Sequence, residues 1–495
     1  MNLSIIRRIL GYVLILEAAL LLLPTLVGLV YGEREFTAYL IVSAICVVCG
    51  GLLGIKKPKN TVFHLKEGCV ATALSWIVLS VFGCLPFMIT GEIPSFIDAL
   101  FETVSGFTTT GASVVQNVES LATCTLFWRS FTHWIGGMGV LVFIMAVVPH
   151  SGGGSNINLL RAESPGPSVS KLVPKMRETA RYLYVIYIVF TLLEALLLKF
   201  GGMRIVDALM ISFSTAGTGG FGIKNDSVAG YSYYIQWVVT VFMVMFGVNF
   251  NAYFLIIRRQ FKKAFTMEEL RWYFGIILIA IGAVFFDLKV MSHGSTPKAL
   301  TDSAFQVASI ITTTGFSTAD FDTWHQLSKG LLLGLMFIGA CAGSTGGGVK
   351  VQRIVIVIKN AFRELYYYIH PKSVKKIKMD GKPVDESIIK SINTYTLTAI
   401  GIIAVSFFIL SAQGNNTETN FSAVMATINN IGPGFDKCGA ARNFAFFHPL
   451  SKLVLIFDML VGRLELYPIL ILFTPRIWQE TLTQGNHRLK KRLHK

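Results

Sequence analysis

Charged residues are scarce in this 495-residue chain, where Asp, Glu, Lys and Arg together make up only 15%. A soluble globular domain usually carries about 25%. Hydrophobic residues reach 53%, and the mean hydropathy is +0.59. Too few charges remain to cover a water-facing surface of this size, which excludes the secreted, fibrous and disordered classes. The composition predicts a polytopic membrane protein.

Basic residues are missing from whole stretches of the chain and concentrated in others. Between Thr90 and Phe127 there are four acidic residues and no Lys or Arg. The basic clusters lie between apolar runs, at 7–8, 56–59, 177–181, 258–263, 372–378 and 490–495. Because cytoplasmic loops collect Lys and Arg, the net charge of +16 reports membrane topology. A nucleic-acid binder would gather its charges in one patch, so no nucleic-acid partner is expected.

Cysteine is sparse too, and seven residues, an odd number, give no disulfide framework. Cys46 and Cys49 form a C-x-x-C pair inside an apolar run, without the further ligands of a zinc site, and we interpret them as packing residues. Cys124 and Cys438 fall in predicted outer loops, and their pairing stays open. No set of acidic, metal-ligating or nucleophilic residues facing one cavity is evident, which argues against a membrane enzyme and against a cofactor.

Ten apolar runs approach the length of about 20 residues that crosses a bilayer. They are 9–31, 38–55, 69–90, 125–149, 182–200, 233–257, 272–290, 327–358, 390–411 and 450–474. The first run is longer than a signal-peptide core, and no cleavage pattern follows it, so we expect a retained helix.

Shorter stretches between the runs repeat one pattern. Three begin with Asp and end in Gly thirteen residues later, at 98–111, 207–220 and 302–315. A diverged fourth copy, 421–435, contains Asn-Asn-Ile-Gly432-Pro-Gly. Each copy lies between two apolar runs and outside the basic loops. This predicts a fourfold internal repeat of helix, short re-entrant segment and helix, in which the Asp caps the short helix.

The re-entrant segments restrict the possible functions. Irregular backbone survives at membrane depth only where it is buried in protein or lines a water-filled path. Glycine permits positive φ, so consecutive carbonyls can point to one side. Four such turns around an axis would form a ring of oxygens that replaces the water shell of a monovalent cation. The pattern therefore predicts a cation pore.

These segments resemble the Trk/Ktr/HKT superfamily of potassium transporters, especially its bacterial TrkH type. The resemblance rests on the four glycine segments and three companions. The companions are Phe-Trp128-Arg-Ser-Phe-Thr-His133-Trp, Gly343-Ser-Thr-Gly-Gly-Gly-Val-Lys350 and Gly462-Arg463-Leu-Glu465. Two apolar runs before the first segment also fit this type, so the resemblance covers nearly the whole chain.

The resemblance implies that the four segments supply the potassium-binding selectivity filter. The implied filter residues are Thr109, Thr110, Gly111, Thr218, Gly219, Gly220, Thr313, Thr314, Gly315, Asn430, Ile431 and Gly432. Gly219 and Ile431 stand where the first and third segments have Thr, so binding would have to use backbone carbonyls. For any single segment, a tight turn between helices is the alternative.

The run 327–358 is interrupted by five glycines between 339 and 348. Each costs a helix about 1 kcal/mol relative to alanine, so we expect the segment to unwind. A phosphate-binding loop is the competing interpretation, but the required pattern is absent. The resemblance implies an intramembrane gating loop at 339–349. Its implied gating residues are Gly343, Ser344, Thr345, Gly346, Gly347, Gly348 and Lys350.

Arg463 lies inside the run 450–474, where a charge in lipid is costly. The resemblance implies that it faces the pore beside the gating loop as an electrostatic barrier. A structural ion pair with Asp458 or Glu465 is the alternative. For Lys350, a simple anchor at the cytoplasmic end of the loop is an equal alternative. Arg129 and His133, one helical turn apart, are interpreted as packing or interfacial residues, with proton transfer as the alternative.

The predicted fold is an all-α integral membrane protein with four pseudo-symmetric helix–pore loop–helix repeats around one pore. Two N-terminal transmembrane helices (1–60) precede repeats at 61–160, 161–265, 266–370 and 371–495. Their pore loops are 98–113, 207–222, 302–317 and 421–435, and a basic tail ends the last repeat. The resemblance implies a homodimer in the bacterial inner membrane and a cytosolic nucleotide-binding ring protein as regulator.

The predicted function is potassium uptake driven by the membrane potential, with K⁺ as the transported ion. Coupling to protons or sodium stays open. A sodium-permeable or poorly selective monovalent pore is the first alternative. Glycine in all four filter positions argues against it, because the sodium-selective relatives resemble this chain but carry serine in the first loop. A polytopic membrane enzyme is the second alternative.

Overall fold

The computed structural model describes residues 1–56, 64–139, 176–292, 295–475 and 478–479. The end of the predicted run 125–149, most of the inner loop 150–181 and the basic tail 484–495 lie outside these residues. The described chain is mostly helical. It contains one antiparallel hairpin of two-residue strands, β1 Lys378–Met379 and β2 Lys382–Pro383. The prediction of an all-α membrane protein is confirmed.

Two long helices open the chain as an antiparallel hairpin, α1 Leu3–Tyr31 and α2 Phe36–Gly54. They cross closely because Gly11 and Gly50 face each other, and a Cβ on either would lie 2.8 Å from the other's carbonyl oxygen. In the connecting turn, Glu33 accepts hydrogen bonds from the backbone of Thr123 and Cys124 at 2.6 and 2.9 Å. The hairpin is thereby joined to the next part of the molecule.

Four units follow, each with a long first helix, a short helix, a turn and a second helix. The first unit contains α3 Leu65–Gly83, α4 Leu85–Thr90, α5 Phe96–Phe107 and α6 Thr123–Gly137. The second contains α7 Met176–Phe200, α8 Ile205–Ala216, α9 Tyr233–Phe246, α10 Phe250–Ile257 and α11 Phe261–Phe265. The third contains α12 Glu268–Ser292, α13 Thr296–Ile311, α14 Gln326–Ile338 and α15 Val351–Ile369. The fourth contains α16 Glu386–Ser411, α17 Thr417–Ile428, α18 Pro449–Arg463 and α19 Tyr467–Leu470.

Several of the ten apolar runs are not continuous helices. Among the described residues, six helices are long and apolar enough to cross a membrane, and a bent pair, α9 with α10, is a seventh candidate. The breaks fall in the second helices of the units. Helices α9 and α10 meet at 90°, α14 ends before Gly339, and α18 ends at Arg463. Hydropathy alone does not show these breaks, because the residues around them stay apolar, and only the break after α14 was predicted, from its glycines.

The predicted Asp caps are also wrong. Ser95 caps α5, accepting a bond from the backbone of Asp98, and the Asp98 carboxylate instead contacts the ammonium of Lys452 at 2.6 Å. Asp207 sits in the first turn of α8, and Asp302 lies inside α13, bonded to Thr318 at 2.9 Å. Two of the three acids thus lie in the first turn of a short helix without capping it, and the third lies inside its helix.

All seven cysteines are free thiols. Cys46 is buried and Cys49 half-buried in α2, in agreement with a packing role. Cys124 and Cys438 are buried and unpaired with each other. Within the described ranges no group of three or more His, Cys, Asp or Glu could hold a metal ion.

Candidate cation pathway

Four glycine turns, at 108–111, 217–220, 312–315 and 429–432, follow the short helices α5, α8, α13 and α17 with one shared backbone. In each turn the second residue has a φ of 53–59° and the terminal glycine a φ of 77–103°. The second residues are Thr109, Thr218, Thr313 and Asn430. Non-glycine residues rarely adopt positive φ, so four equivalent exceptions indicate one conserved geometry rather than four unrelated turns.

One hydrogen bond recurs in every glycine turn. The third residue donates its N–H to a carbonyl five residues earlier in the short helix, at 2.8 Å in all four turns. The bonds are Thr110 to Ser105, Gly219 to Ser214, Thr314 to Ser309 and Ile431 to Ala426. Gly219 and Ile431 therefore occupy the third position of their turns, as Thr110 and Thr314 do in the other two. The backbone does not need a hydroxyl at this position.

The four turns close into a ring. A Cβ on Gly111 would overlap the carbonyl oxygen of Gly219, and one on Gly220 would overlap that of Thr314. A Cβ on Gly315 would overlap the carbonyl oxygen of Ile431. The ring returns to its start because a Cβ on Gly432 would meet the carbonyl oxygen of Thr110 at 2.7 Å. Each glycine is needed for its close approach to the next turn as well as for its φ.

The ring glycines line one cavity of about 150 Å³ on the outer side of the ring. The other lining residues include Lys224, Arg129 and Arg442 but no Asp or Glu in the described chain. A cation reaching the ring would consequently meet backbone and neutral oxygens rather than fixed carboxylates. Such a site suits a monovalent ion better than a divalent one.

Most side-chain hydroxyls in the turns bond to the protein, whereas the buried Thr109 hydroxyl has no hydrogen-bond partner among the described residues. Thr108 pairs with Thr110 at 2.8 Å, and Thr312 pairs with Thr314 at 2.7 Å. The fourth turn uses an amide instead, and Asn430 donates to the Thr110 hydroxyl at 2.9 Å. The same amide donates to a carbonyl of α18 at 3.0 Å. Asn430 thereby ties the fourth turn to the first and to the helix behind it.

A buried ion pair behind the first turn was missed by the sequence analysis. Glu102 on α5 accepts from Arg129 on α6, with a shortest distance of 2.7 Å. The same carboxylate accepts from the Ser113 hydroxyl and the Val114 N–H at 2.9 Å each. The Arg129 guanidinium also lies 4.2 Å from the ring of Phe221 in the second unit. The pair therefore fixes the chain just outside two glycine turns, beyond the packing role inferred for Arg129.

His133 is buried against the second turn. Its ring stacks on Phe221 with centroids 4.2 Å apart, and a Cβ on Gly219 would overlap that ring. This is the reason for glycine at position 219 where two other turns have threonine. The sequence shows a histidine in α6 and a glycine in place of threonine in the second turn, but nothing in the sequence links the two residues.

The glycine-rich loop 339–349 lies directly against the turns of the third and fourth units. Its predicted unwinding is confirmed, since α14 ends at Ile338 and α15 starts at Val351. The N–H of Gly347 donates to the hydroxyl of Thr313 at 2.6 Å. A Cβ on Gly347 would lie 2.5 Å from the carbonyl oxygen of Asn429, and one on Gly346 would lie 2.9 Å from that of Thr312. Small residues let the loop reach the ring.

The bend between α9 and α10 cradles the glycine-rich loop from the other side. The loop N–H of Cys341 donates to Gly247 at 3.1 Å, and Gly343 accepts from the N–H of Phe250 at 3.0 Å. The hydroxyl of Thr345 donates to the carbonyl of Phe246 at 3.2 Å. The break in the second unit thus supplies the backbone groups that hold the loop.

Two charged groups, Glu269 and Lys350, fix the loop further. Glu269, buried at the start of α12, accepts from the N–H of Ala342 at 2.6 Å. Lys350, whose φ is 82°, turns its ammonium back onto the carbonyl of Gly346. This contact favours a role within the loop over that of a simple surface anchor.

Arg463 joins three units at the level of the loop. Its guanidinium donates to Thr345 at 2.9 Å and to Gly137 at 2.9 Å, and it also contacts the carbonyl of Gly136. The alternative partners are engaged elsewhere, since Glu465 pairs with Arg353 and Asp458 accepts from Ser406 at 2.8 Å. The residue thus ends α18 beside the glycine-rich loop, rather than lying within a continuous span.

On the outer rim, Asp436 connects the fourth unit to the third. Its backbone N–H donates to Asp322 at 3.0 Å. The hydrogen bond from Thr419, helped by Asn416, lowers the pKa of the Asp436 carboxyl from its usual value. Burial raises the pKa of Asp322. Asp436 therefore stays ionised at neutral pH.

The family profile described as "TrkH: Cation transport protein" matches residues 36–482. The chain is 37% identical to the "Trk system potassium uptake protein TrkH" of Salmonella typhimurium over 489 residues, covering 97% of this chain and 100% of that protein. The protein of the same name from Escherichia coli is 36% identical over the same coverage.

A solved structure agrees with these sequence matches. The crystal structure of the potassium transporter TrkH from Vibrio parahaemolyticus superposes with a TM-score of 0.87 at 33% identity. It covers 97% of this chain and 100% of that chain. The matching proteins are transporters, which excludes the membrane-enzyme alternative. The chain is accordingly a multi-pass membrane protein and belongs to the TrkH family of cation transport proteins.

Proposed function

We propose that the chain mediates potassium uptake through the ring of four glycine turns, with the four units as pseudo-symmetric repeats around a single pore. The closure of the ring carries this proposal: each turn touches the next, and all four share one backbone. A ring of backbone oxygens can replace the hydration shell of a monovalent cation. The potassium uptake named for the relatives supports K⁺ as the transported ion.

The twelve filter residues inferred from the sequence would divide their roles. The four glycines would allow the turns to approach, and the residues before them would direct carbonyls toward the ion. The equivalent placement of Gly219 and Ile431 supports a backbone role at the third position of each turn. No cofactor enters this proposal.

The glycine-rich loop would act as the gate, with Arg463 and Lys350 holding it against the ring. The loop contacts two of the turns, and Arg463 connects it to the first unit. A positive charge held at this level would raise the energy of a cation that has just left the filter. Flux would then require the loop and the guanidinium to move aside.

Potassium-limited growth of a strain lacking its own uptake systems tests the filter. The parent chain is expected to restore growth, whereas Gly111→Ser is expected to lose rescue or admit sodium, because its Cβ would overlap the carbonyl of Gly219. Equal rescue by both chains would show that Gly111 is not a filter residue. If the parent, present in the membrane, fails to rescue even with its cytosolic partner, the potassium assignment itself fails.

We further propose that the chain assembles as a homodimer and is regulated by a cytosolic nucleotide-binding ring protein. The Trk system named for the relatives supports a partner component. The large basic inner loops 150–181 and 359–389 and the Lys-rich tail 484–495 are the proposed docking sites. Deleting 484–495 is expected to weaken co-purification of the partner, and undiminished recovery would remove the tail from the docking surface.

A further inference from the structure

Residues 257–265 expose basic and apolar side chains next to one another. Arg258, Arg259, Lys262 and Lys263 are exposed, and none has an ion-pair partner in the described part of the chain. Ile257, Phe261 and Phe265, between and beside them, are 64%, 51% and 64% exposed. A loop facing only water would not gather three large apolar side chains on its surface.

The bend before this segment sets its orientation. Helix α9 has 14 residues, and α10 leaves it at 90°. At 1.5 Å per residue, α9 rises about 21 Å, which takes the chain most of the way across the hydrocarbon core. If α9 crosses the bilayer, α10 and α11 run along its inner boundary. The basic residues mark that boundary as the cytoplasmic one.

We propose that residues 257–265 form a binding site for anionic phospholipid in the inner leaflet. The four basic side chains would contact the headgroup phosphates, and Ile257, Phe261 and Phe265 would enter the boundary between headgroups and acyl chains. Interfacial segments combine these two features. A free phosphate ion would use the charges but would leave the two phenyl rings in water, so a lipid fits the surface better.

This site is connected to the glycine-rich loop by short contacts. The N–H of Phe250, at the start of α10, donates to Gly343 at 3.0 Å. The Asn249 amide donates to Glu269 at 3.3 Å, and Glu269 in turn holds the N–H of Ala342 at 2.6 Å. Lipid that orders α10 and α11 would therefore stabilise the bend and the loop seated in it. This regulatory part rests on the proposed role of the loop as a gate.

The test uses the full chain in vesicles of phosphatidylcholine alone, or with one quarter phosphatidylglycerol, and measures ⁸⁶Rb⁺ uptake. Each basic residue near an anionic surface contributes to lipid binding, and bound lipid would stabilise the glycine-rich loop in its closed position. Uptake by the parent is therefore expected to be slower in the anionic vesicles, by at least about fivefold. The variant R258Q/R259Q/K262Q/K263Q should lose most of this difference. All four side chains are exposed, so the substitutions leave the packed interior intact.

A matched control removes four other exposed lysines, K372Q/K375Q/K376Q/K390Q, and should keep the lipid dependence. Phosphatidylglycerol retained through purification, counted by native mass spectrometry, should fall in the first variant only. Millimolar glycerol 3-phosphate added to neutral vesicles should not slow uptake; if it does, a soluble anion and not a lipid is the ligand.

The outcomes separate this inference from the proposed function. The lipid site would be overturned if the parent took up ⁸⁶Rb⁺ equally fast in both kinds of vesicle. It would also be overturned if the first variant kept both the lipid dependence and the lipid retention of the parent. Absence of ⁸⁶Rb⁺ uptake in every vesicle would contradict the proposed function, while a difference in retained lipid would still support the site.

Discussion

Replacing Gly315 by alanine is expected to abolish potassium uptake. Its φ of 84° is strained for any residue with a Cβ, and that Cβ would overlap the carbonyl oxygen of Ile431 in the next turn. The two effects together should cost about 3 kcal/mol, so the turns must separate, and uptake should fall by roughly a hundredfold. Initial rates of ⁸⁶Rb⁺ uptake in potassium-starved cells measure the change.

Gly414→Ala is the matched control for this substitution. Gly414 has a φ of 76°, and nothing lies within 4 Å of the Cβ it would carry. It therefore bears the same backbone strain without the collision across the ring. Near-parental uptake by Gly414→Ala beside lost uptake by Gly315→Ala would assign the effect to ring closure. If both variants lost uptake to a similar extent, at equal amounts of protein in the membrane, the assignment to ring closure would be contradicted.

The turns could be predicted because their information is local. Gly111, Gly220 and Gly315 follow an Asp at one fixed interval, and a turn with positive φ needs glycine wherever it occurs. The same holds for the glycine-rich loop, where five glycines within ten residues weaken the helix regardless of its neighbours. The turns and the unwound loop are therefore determined by the local sequence and do not depend on contacts with distant residues.

The breaks after α9 and at the end of α18 could not be predicted, because their causes lie far away in the chain. A Cβ on Gly462 would overlap the carbonyl of Ile428, and Gly247 is pressed against Tyr273. The carbonyls that Arg463 contacts at Gly136 and Gly137 precede it by more than three hundred residues. Hydropathy sees an apolar run in each case. Only the assembled units show why the helix stops there.

The two acids of the short helix α5 illustrate the same limit. Ser95, three residues before Asp98, caps α5 in place of the acid. The Asp98 carboxylate pairs instead with Lys452, which is remote in sequence. The sequence pattern predicts a role for Arg129 but none for its ion-pair partner Glu102. A charge on a short helix and a charge in the next apolar run form a recognisable pair, since neither could otherwise remain in a membrane interior. Reading such charges as pairs would have found this contact.

Replacing Arg463 by glutamine is expected to increase potassium flux in the absence of the cytosolic partner. The substitution removes a positive charge next to the glycine-rich loop and weakens the bonds to Thr345, Gly136 and Gly137. At an assumed separation of about 7 Å and an effective dielectric constant near 20, a unit charge contributes about 2 kcal/mol to the energy of a passing cation, or roughly a thirtyfold change in rate. Uptake of ⁸⁶Rb⁺ into proteoliposomes measures it.

Two further variants separate charge from bonding. Arg463→Lys keeps the charge but cannot reach Thr345 and Gly137 together. If its flux is close to that of the parent, the charge restrains the ion. If its flux matches that of Arg463→Gln, the hydrogen bonds are responsible. Arg353→Gln is the control for a general loosening, because Arg353 pairs with Glu465 just beyond α18. A rise in flux as large in Arg353→Gln as in Arg463→Gln would mean that Arg463 supports the fold and does not restrain the ion. Because the Arg463 guanidinium contacts the loop and the end of α6 at once, we expect the lysine variant to fall between the two limits, with charge and bonds both contributing.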